Sequence, residues 1–343
     1  MLITIADDTF SFNSETPDLK PMGPSEKSVS RLARSLVSLG NLVRVYNKIE
    51  KAIVSDGVSW IPLDQVNASQ TDILIAHNNP KLLELIPDSK KKILWLTKAA
   101  SYLTNTSMLH ATVRSNPIIV CQGEGHGSSI PNNYNVFVTK VISNAVSDVF
   151  LNQKDSKPNI TPSAVVTTHP LNGLDWLLDI WNQKIHPRLP WAELHIFSSI
   201  LNKGISGGSI DIRLEKILNK ISTSQSGIKV FNPLADPQMS KKLTEYRVHL
   251  YPSMTSTPWA GTLAESQAVG IPAISRPFSS VGEHIVNGKT GYITADKNQF
   301  SEYAYRLLND ISAFTQMSEN CKFIKKRRDW NDVAEEFEEL ACD

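Results

Sequence analysis

The stretch Tyr251-Pro252-Ser253-Met254-Thr255-Ser256-Thr257-Pro258-Trp259-Ala260-Gly261-Thr262-Leu263-Ala264-Glu265-Ser266-Gln267-Ala268-Val269-Gly270-Ile271-Pro272 decides the fold of this 343-residue chain. Leu263, Ala264, Ala268 and Val269 recur at helical spacing, and the loop Thr257–Gly261 must turn before them. A helix that starts there offers the N–H groups of Gly261 and Thr262 as anion donors. Glu265 then stands one turn in. Its carboxylate would repel a phosphate but accept hydrogen bonds from two vicinal hydroxyls, which fits a ribose beside a diphosphate. Taken alone, Glu265 reads first as a solvated helix glutamate.

Outward from this stretch, short β-rich runs alternate with helical periodicity, the pattern of parallel α/β layers. Strands read at Leu2–Ala6, Val43–Tyr46, Asp72–Ala76, Ile93–Leu96, Pro117–Cys121 and Val136–Ile142. Val29, Leu32, Ala33, Leu36 and Val37 make one face of a first helix that ends at Gly40. After the polar segment Asn152–Asn159 a second series follows, with strands at Ala164–Thr167, Glu193–Phe197, Ile228–Phe231, Val248–Leu250 and Ala273–Ser275. Helices read at Leu174–Trp181, Ile212–Ile221 and Met239–Tyr246. The expected organisation is a Rossmann-like domain over 1–155, a second over 156–325 and a terminal helix over 326–343.

Charge excludes nucleic acid as the main partner, because 35 Lys and Arg balance 34 Asp and Glu. Three cysteines, Cys121, Cys321 and Cys342, show no metal-ligand spacing and read as reduced thiols of a cytoplasmic protein. The amino terminus lacks a signal pattern, and no apolar run approaches the ~18 residues of a membrane span. No Asp-x-Asp is present to hold a diphosphate-bound cation, so no metal is expected.

Glu265-Ser266-Gln267-Ala268-Val269-Gly270-Ile271-Pro272 resembles the second half of the donor-site motif of family 4 GT-B glycosyltransferases: Glu, seven residues, Glu, then Ala-x-Ala-x-Gly-x-Pro. Gly282-Glu283-His284-Ile285-Val286-Asn287-Gly288-Lys289-Thr290-Gly291 resembles the family's downstream Glu-x-Val-x-Asp-Gly-x-Thr-Gly turn, and Tyr251-Pro252-Ser253 its strand-end Pro-Ser. The resemblance implies two Rossmann-like domains facing each other across a cleft and a nucleotide diphosphate sugar as donor. It also implies an acceptor hydroxyl on the first domain and retention of configuration without a metal or other cofactor. Cell-surface polysaccharide or glycan synthesis, at the inner face of a membrane for a lipid-linked acceptor, is the implied setting. The terminal helix is expected to pack on the first domain.

The departures fall on catalytic and phosphate-binding positions. Thr257 stands where the family has its first motif glutamate. His169 and Asn172 replace an arginine and a lysine that meet the diphosphate, and Arg276, after strand Ala273–Ser275, is the candidate replacement cation. Gly23 matches the family's Gly-Gly loop, but Pro24 follows and removes one N–H. His126, in Gly123-Glu124-Gly125-His126-Gly127, reads as a contact for the transferred sugar or the acceptor, or as a loop histidine. His77-Asn78-Asn79-Pro80 reads as a helix start capped by Asn79. The run Lys325–Arg328 reads as a solvated helix end, or as a contact for anionic lipid. Gly123-x-Gly125 lacks the rest of a dinucleotide fingerprint, which argues against an NAD enzyme. Two alternatives remain: a degenerate relative that binds nucleotide or glycan without turnover, and a nucleotide-sugar epimerase.

Overall fold

The computed structural model describes residues 1–153, 158–224, 226–254, 258–278, 280–324 and 328–342. The chain divides into two compact units: Met1–Ser147 with Thr257–Trp259 and Arg328–Asp343, and Asp148–Ser256 with Ala260–Arg327. Residues 154–157 of the polar segment read as the linker lie outside the described residues, as do 325–327 of the basic run.

Unit 1 is built on β1 (Leu2–Ala6), β2 (Leu42–Asn47), β3 (Ile53–Ser55), β4 (Val58–Pro62), β5 (Gln70–His77), β6 (Asp88–Trp95), β7 (Ile118–Cys121) and β8 (Thr139–Val141). Among the described residues they form one sheet in the order β3-β4-β2-β1-β5-β6-β7-β8. Neighbours run parallel except in the hairpin β3–β4. Central strands covered on both faces need continuous apolar runs, and Ile73-Leu74-Ile75-Ala76 of β5 is wholly buried.

The helix Pro24–Ser38 has proline in its first turn, where no N–H is needed, and buries Val29, Leu32, Ala33 and Leu36. The helix Trp330–Cys342 adds Val333, Ala334, Phe337 and Leu340 to the same core. There the Phe337 ring meets Trp95 edge to face, centroids 5.3 Å apart.

Unit 2 contains β9 (Ser163–Val166), β10 (Glu193–Phe197), β11 (Ile228–Phe231), β12 (Val248–Tyr251), β13 (Ala273–Ser275) and β14 (Gly291–Ile293). Their order is β11-β10-β9-β12-β13-β14, and every pair is parallel. Val166, Leu177, Trp181, Ile196, Leu250, Ile274 and Phe300 fill the core beneath this sheet and its helices. No helix among the described residues is long and apolar enough to cross a membrane.

The β3–β4 hairpin, β14 and the helix Thr106–Ser115 add to the elements read from the sequence. The start read at Asn79 becomes a short 3-10 turn, Pro80–Glu84, with Asn79 accepting from the Lys81 N–H.

Candidate active site

From β9 the second sheet grows one way to β10 and β11 and the other way to β12, β13 and β14. The strand order reverses beside β9, so the loops after β9 and β12 stand side by side at the carboxyl ends of these strands, the edge where open parallel sheets take ligands. His169, Asn172, Gly261, Thr262, Glu265 and Arg276 all lie on this edge of unit 2, in segments that follow β9, β12 or β13.

Two of these loops are pressed together. Gly173 has φ +96°, and a Cβ on it would lie 2.3 Å from the Pro252 carbonyl oxygen. Asn172 accepts the Met254 N–H on its side-chain oxygen at 2.7 Å. This amide oxygen therefore holds the β12 loop. His169 is exposed and accepts the Leu171 N–H on Nδ1 at 3.3 Å, as a turn-forming side chain does. Beside it the Thr168 hydroxyl is buried and finds no partner among the described residues.

The helix Gly261–Ala268 is held to the sheet by His249 of β12. Its Nδ1 lies 2.8 Å from Ser266 Oγ and its Nε2 3.0 Å from Thr167 Oγ1. Ser266 donates to the Leu263 carbonyl, so Nδ1 carries the proton and Thr167 donates to Nε2. Complete burial pushes this imidazole down to about 3, which keeps it neutral. Glu265, half-buried, is thereby fixed next to Ser266 on an immobilised helix.

At its start the helix has no side-chain cap, so the N–H groups of Gly261 and Thr262 have no intrahelical acceptor. At its end Gly270, φ +86°, lets the Ile271 N–H reach the Ser266 carbonyl at 2.9 Å, which explains the Gly-x-Pro of the motif as a helix stop. The downstream turn is anchored too. Thr290 accepts from Gln267 Nε2 on its carbonyl and from the Val286 N–H on its hydroxyl. Thr257 lies outside the described residues.

Arg276 follows β13. Its guanidinium stands 4.8 Å from the Trp176 ring and 4.8 Å from the Phe278 ring. Nε and Nη1 are buried and find no hydrogen-bond partner among the described residues. Burial holds its pKa below the ordinary arginine value. Trp176 is braced edge to face by Phe300, 5.0 Å between centroids. A cation fixed between aromatic faces with in-plane donors unfilled suits an oxyanion group that accepts in that plane.

Gly23 and His126 belong to unit 1 and sit at the carboxyl edge of its sheet, after β1 and β7. The Glu26 carboxylate folds back on Gly23, 2.8 Å from where a Cβ would stand, so this helix start already has an anion beside it. His126 is 2 % exposed. Its Nδ1 accepts the Gln122 N–H at 3.2 Å and its Nε2 donates to the Lys98 carbonyl at 3.0 Å. Burial lowers its pKa against the opposing pull of that carbonyl. Both ring nitrogens thus tie the β6 and β7 loops together.

Sequence reading passed over His249 and Trp176. A histidine within a strand and a tryptophan on a helix face carry no mark of their partners, which come from other elements.

Residues 161–310 match the family model described as glycosyl transferases group 1. That segment belongs to this family, and the chain is a glycosyltransferase with the GT-B fold. Sucrose-phosphate synthase from Thermosynechococcus elongatus is similar over 98 % of both chains, at 12 % identity and TM-score 0.73. Anabaena HepE, solved with UDP-glucose, is similar over 99 % of both chains at 13 % identity and TM-score 0.73. WaaG, a glycosyltransferase involved in lipopolysaccharide biosynthesis, is similar over 99 % of both at 11 % identity and TM-score 0.68. These likenesses are of fold. No curated protein matches the chain.

Proposed function

We propose that the protein transfers a sugar from a nucleoside diphosphate donor to an acceptor hydroxyl, with the diphosphate at this edge of unit 2 and the acceptor on unit 1. Arg276 carries the reading: a guanidinium clamped by Trp176 and Phe278 whose buried Nε and Nη1 find no acceptor among the described residues. Diphosphate oxygens would fill that need, together with the N–H groups of Gly261 and Thr262. On this reading Glu265 takes the ribose hydroxyls. Asn172 and His169 shape the phosphate loop rather than neutralise it. As the leaving diphosphate gains charge, the fixed donors stabilise it without reorganising. Retention of configuration without a metal follows from the family resemblance, as does a cytoplasmic setting with a glycan or lipid-linked acceptor. Uridine is the first base to test, because HepE, similar in fold, was solved with UDP-glucose.

Calorimetric titration with UDP, GDP and ADP, followed by assays for nucleoside diphosphate released from the matching sugar conjugate, tests the proposal. Affinity for one nucleoside diphosphate, with release from its conjugate, is the expected result. If none of the three bound, the reading would fail.

A further inference from the structure

In unit 1 the strand order reverses at β1, and a closed polar network occupies the carboxyl edge there. Asp7, just after β1, and His77, at the end of β5, are both fully buried. His77 Nδ1 makes a short hydrogen bond to Asp7 Oδ2. Asp7 also accepts the N–H and the hydroxyl of Thr9. Burial pushes the Asp7 carboxyl up, yet the hydrogen bonds from His77 and Thr9 outweigh it and leave the group below its ordinary value.

Facing a carboxylate, Nδ1 carries a proton, and Nε2, 3.1 Å from the Asn78 amide nitrogen, which can only donate, carries the lone pair. Nε2 is 2.7 Å from Thr97 Oγ1, so the Thr97 hydroxyl donates to it. Thr97 Oγ1 must then accept from Ser25, 2.5 Å away. Asn78 fixes the remaining sites. Its backbone is held at φ +57°, its side-chain oxygen accepts the N–H groups of Thr97 and Lys98, and its amide nitrogen donates to Thr97 at 2.8 Å and to Ser25 at 3.2 Å. Every hydroxyl and ring proton of the chain therefore points inward, from Ser25 to Thr97 to His77 to Asp7. Ser25, half-exposed in the first turn of the helix Pro24–Ser38, has only a lone pair left to present outward.

We propose that Ser25 Oγ is a binding point for a sugar hydroxyl, which donates to it, and that Thr97, His77 and Asp7 position it by fixing the direction of the chain. This rests on the sugar-transfer reading for its ligand class. The hydroxyl comes from either the acceptor or the transferred sugar. Its consequence is selectivity: a ligand with hydrogen or fluorine in place of that hydroxyl cannot donate and binds less well. An Asp7→Asn change reverses the chain, since an amide can donate to Nδ1 and move the imidazole proton to Nε2. Ser25 then becomes an outward donor.

Nitrogen NMR of histidine-labelled protein tests the direction without any nucleotide. The proton on Nδ1 of His77 is expected, and a proton on Nε2 overturns the proposal. Titration with methyl α-glucoside and its singly deoxy and deoxyfluoro analogues is one arm, and UDP-glucose against its singly deoxy analogues, with UDP as reference, is the other. In one arm the parent sugar should bind roughly three- to ten-fold better than the analogue lacking the critical hydroxyl. Ser25→Ala should abolish that preference and Ser25→Thr should restore it, with melting temperatures as the control for folding. Preference in the glucoside arm identifies the acceptor as the source, and preference confined to UDP-glucose identifies the transferred sugar. Equal preference in wild type and Ser25→Ala, or none in either arm, overturns the proposal. Absence of UDP binding alone counts against the donor reading and leaves the glucoside arm to decide.

Discussion

Gly173 and Pro252 meet so closely that the smallest side chain on the first would lie 2.3 Å from the carbonyl oxygen of the second. The two loops at the carboxyl edge of the unit 2 sheet can lie against each other only because residue 173 is glycine, and its φ of +96° adds a second reason. Gly173→Ala should therefore destabilise the protein by about 2–4 kcal/mol, the sum of a left-handed alanine and a forced separation of the loops. The separation should also break the Asn172 bond to the Met254 N–H and weaken nucleotide binding. Urea unfolding with calorimetric titration measures both. A variant as stable as wild type would show that the loops part without cost.

His249 makes stability depend on pH in a predictable direction. Its folded-state pKa is about 3 against an ordinary value of 6.5, so the unfolded chain binds the extra proton between these limits. The stabilisation is fully present above pH 6.5 and is lost as pH falls toward 3. The stability difference between wild type and His249→Gln should be flat above pH 7 and shrink below 6.5 by roughly 1 kcal/mol per pH unit. Unfolding free energies of both proteins from pH 8 to 4.5 check it. A constant difference would mean that His249 is not the group that titrates.

Much of the fold was legible because the strands of a sheet covered on both sides are short apolar runs. Glu193–Phe197, Ile228–Phe231 and Ala273–Ser275 carry the bounds read from the sequence. The hairpin Ile53–Pro62 was missed although it has its signal: Asp56-Gly57, at φ +50° and +75°, is a two-residue turn between β-branched residues. β14 is three residues long, and its first residue, Gly291, has a backbone so close to Ala273 that a Cβ would lie 2.1 Å from the carbonyl oxygen. No periodicity can show in so short a run. The helix of the Glu265–Pro272 motif was legible as a local pattern. The partnerships that fix it were not, because His249 finds Thr167 and Asp7 finds His77 across 82 and 70 residues. Position at the end of a strand beside the order reversal was the available hint for Asp7 and His77.

Arg276 should matter for binding more than for folding. Its buried Nε and Nη1 find no acceptor among the described residues, while the faces of Trp176 and Phe278 offset part of its desolvation. Arg276→Ala should cost about 1.5–3 kcal/mol in affinity for a nucleoside diphosphate, and little for the free nucleoside. Arg276→Lys should recover only part of it, because an ammonium neither stacks between two rings nor donates in a fork. Titration of wild type and both variants with UDP and uridine decides. Equal losses for the two ligands would move Arg276 away from the diphosphate.

Glu265 offers the sharpest test of the donor site. The helix that carries it is pinned through Ser266 to His249, so a change in its charge should leave the helix where it is. Glu265→Gln keeps the size of the side chain while removing the charge. If two ribose hydroxyls donate to the carboxylate, the change should weaken the binding of a ribonucleotide by about 1.5–3 kcal/mol, roughly ten- to a hundred-fold. A 2′-deoxynucleotide has already lost one of those donors, so the same substitution should cost it less. Titrating both nucleotides against both proteins closes a double-mutant cycle in which the coupling energy belongs to the contact itself. A coupling near zero, with melting temperature unchanged, would separate Glu265 from the ribose. The diphosphate would then be left to Arg276 and the start of the Gly261–Ala268 helix, with the sugar-facing half of the donor site to be sought elsewhere on this edge of the sheet.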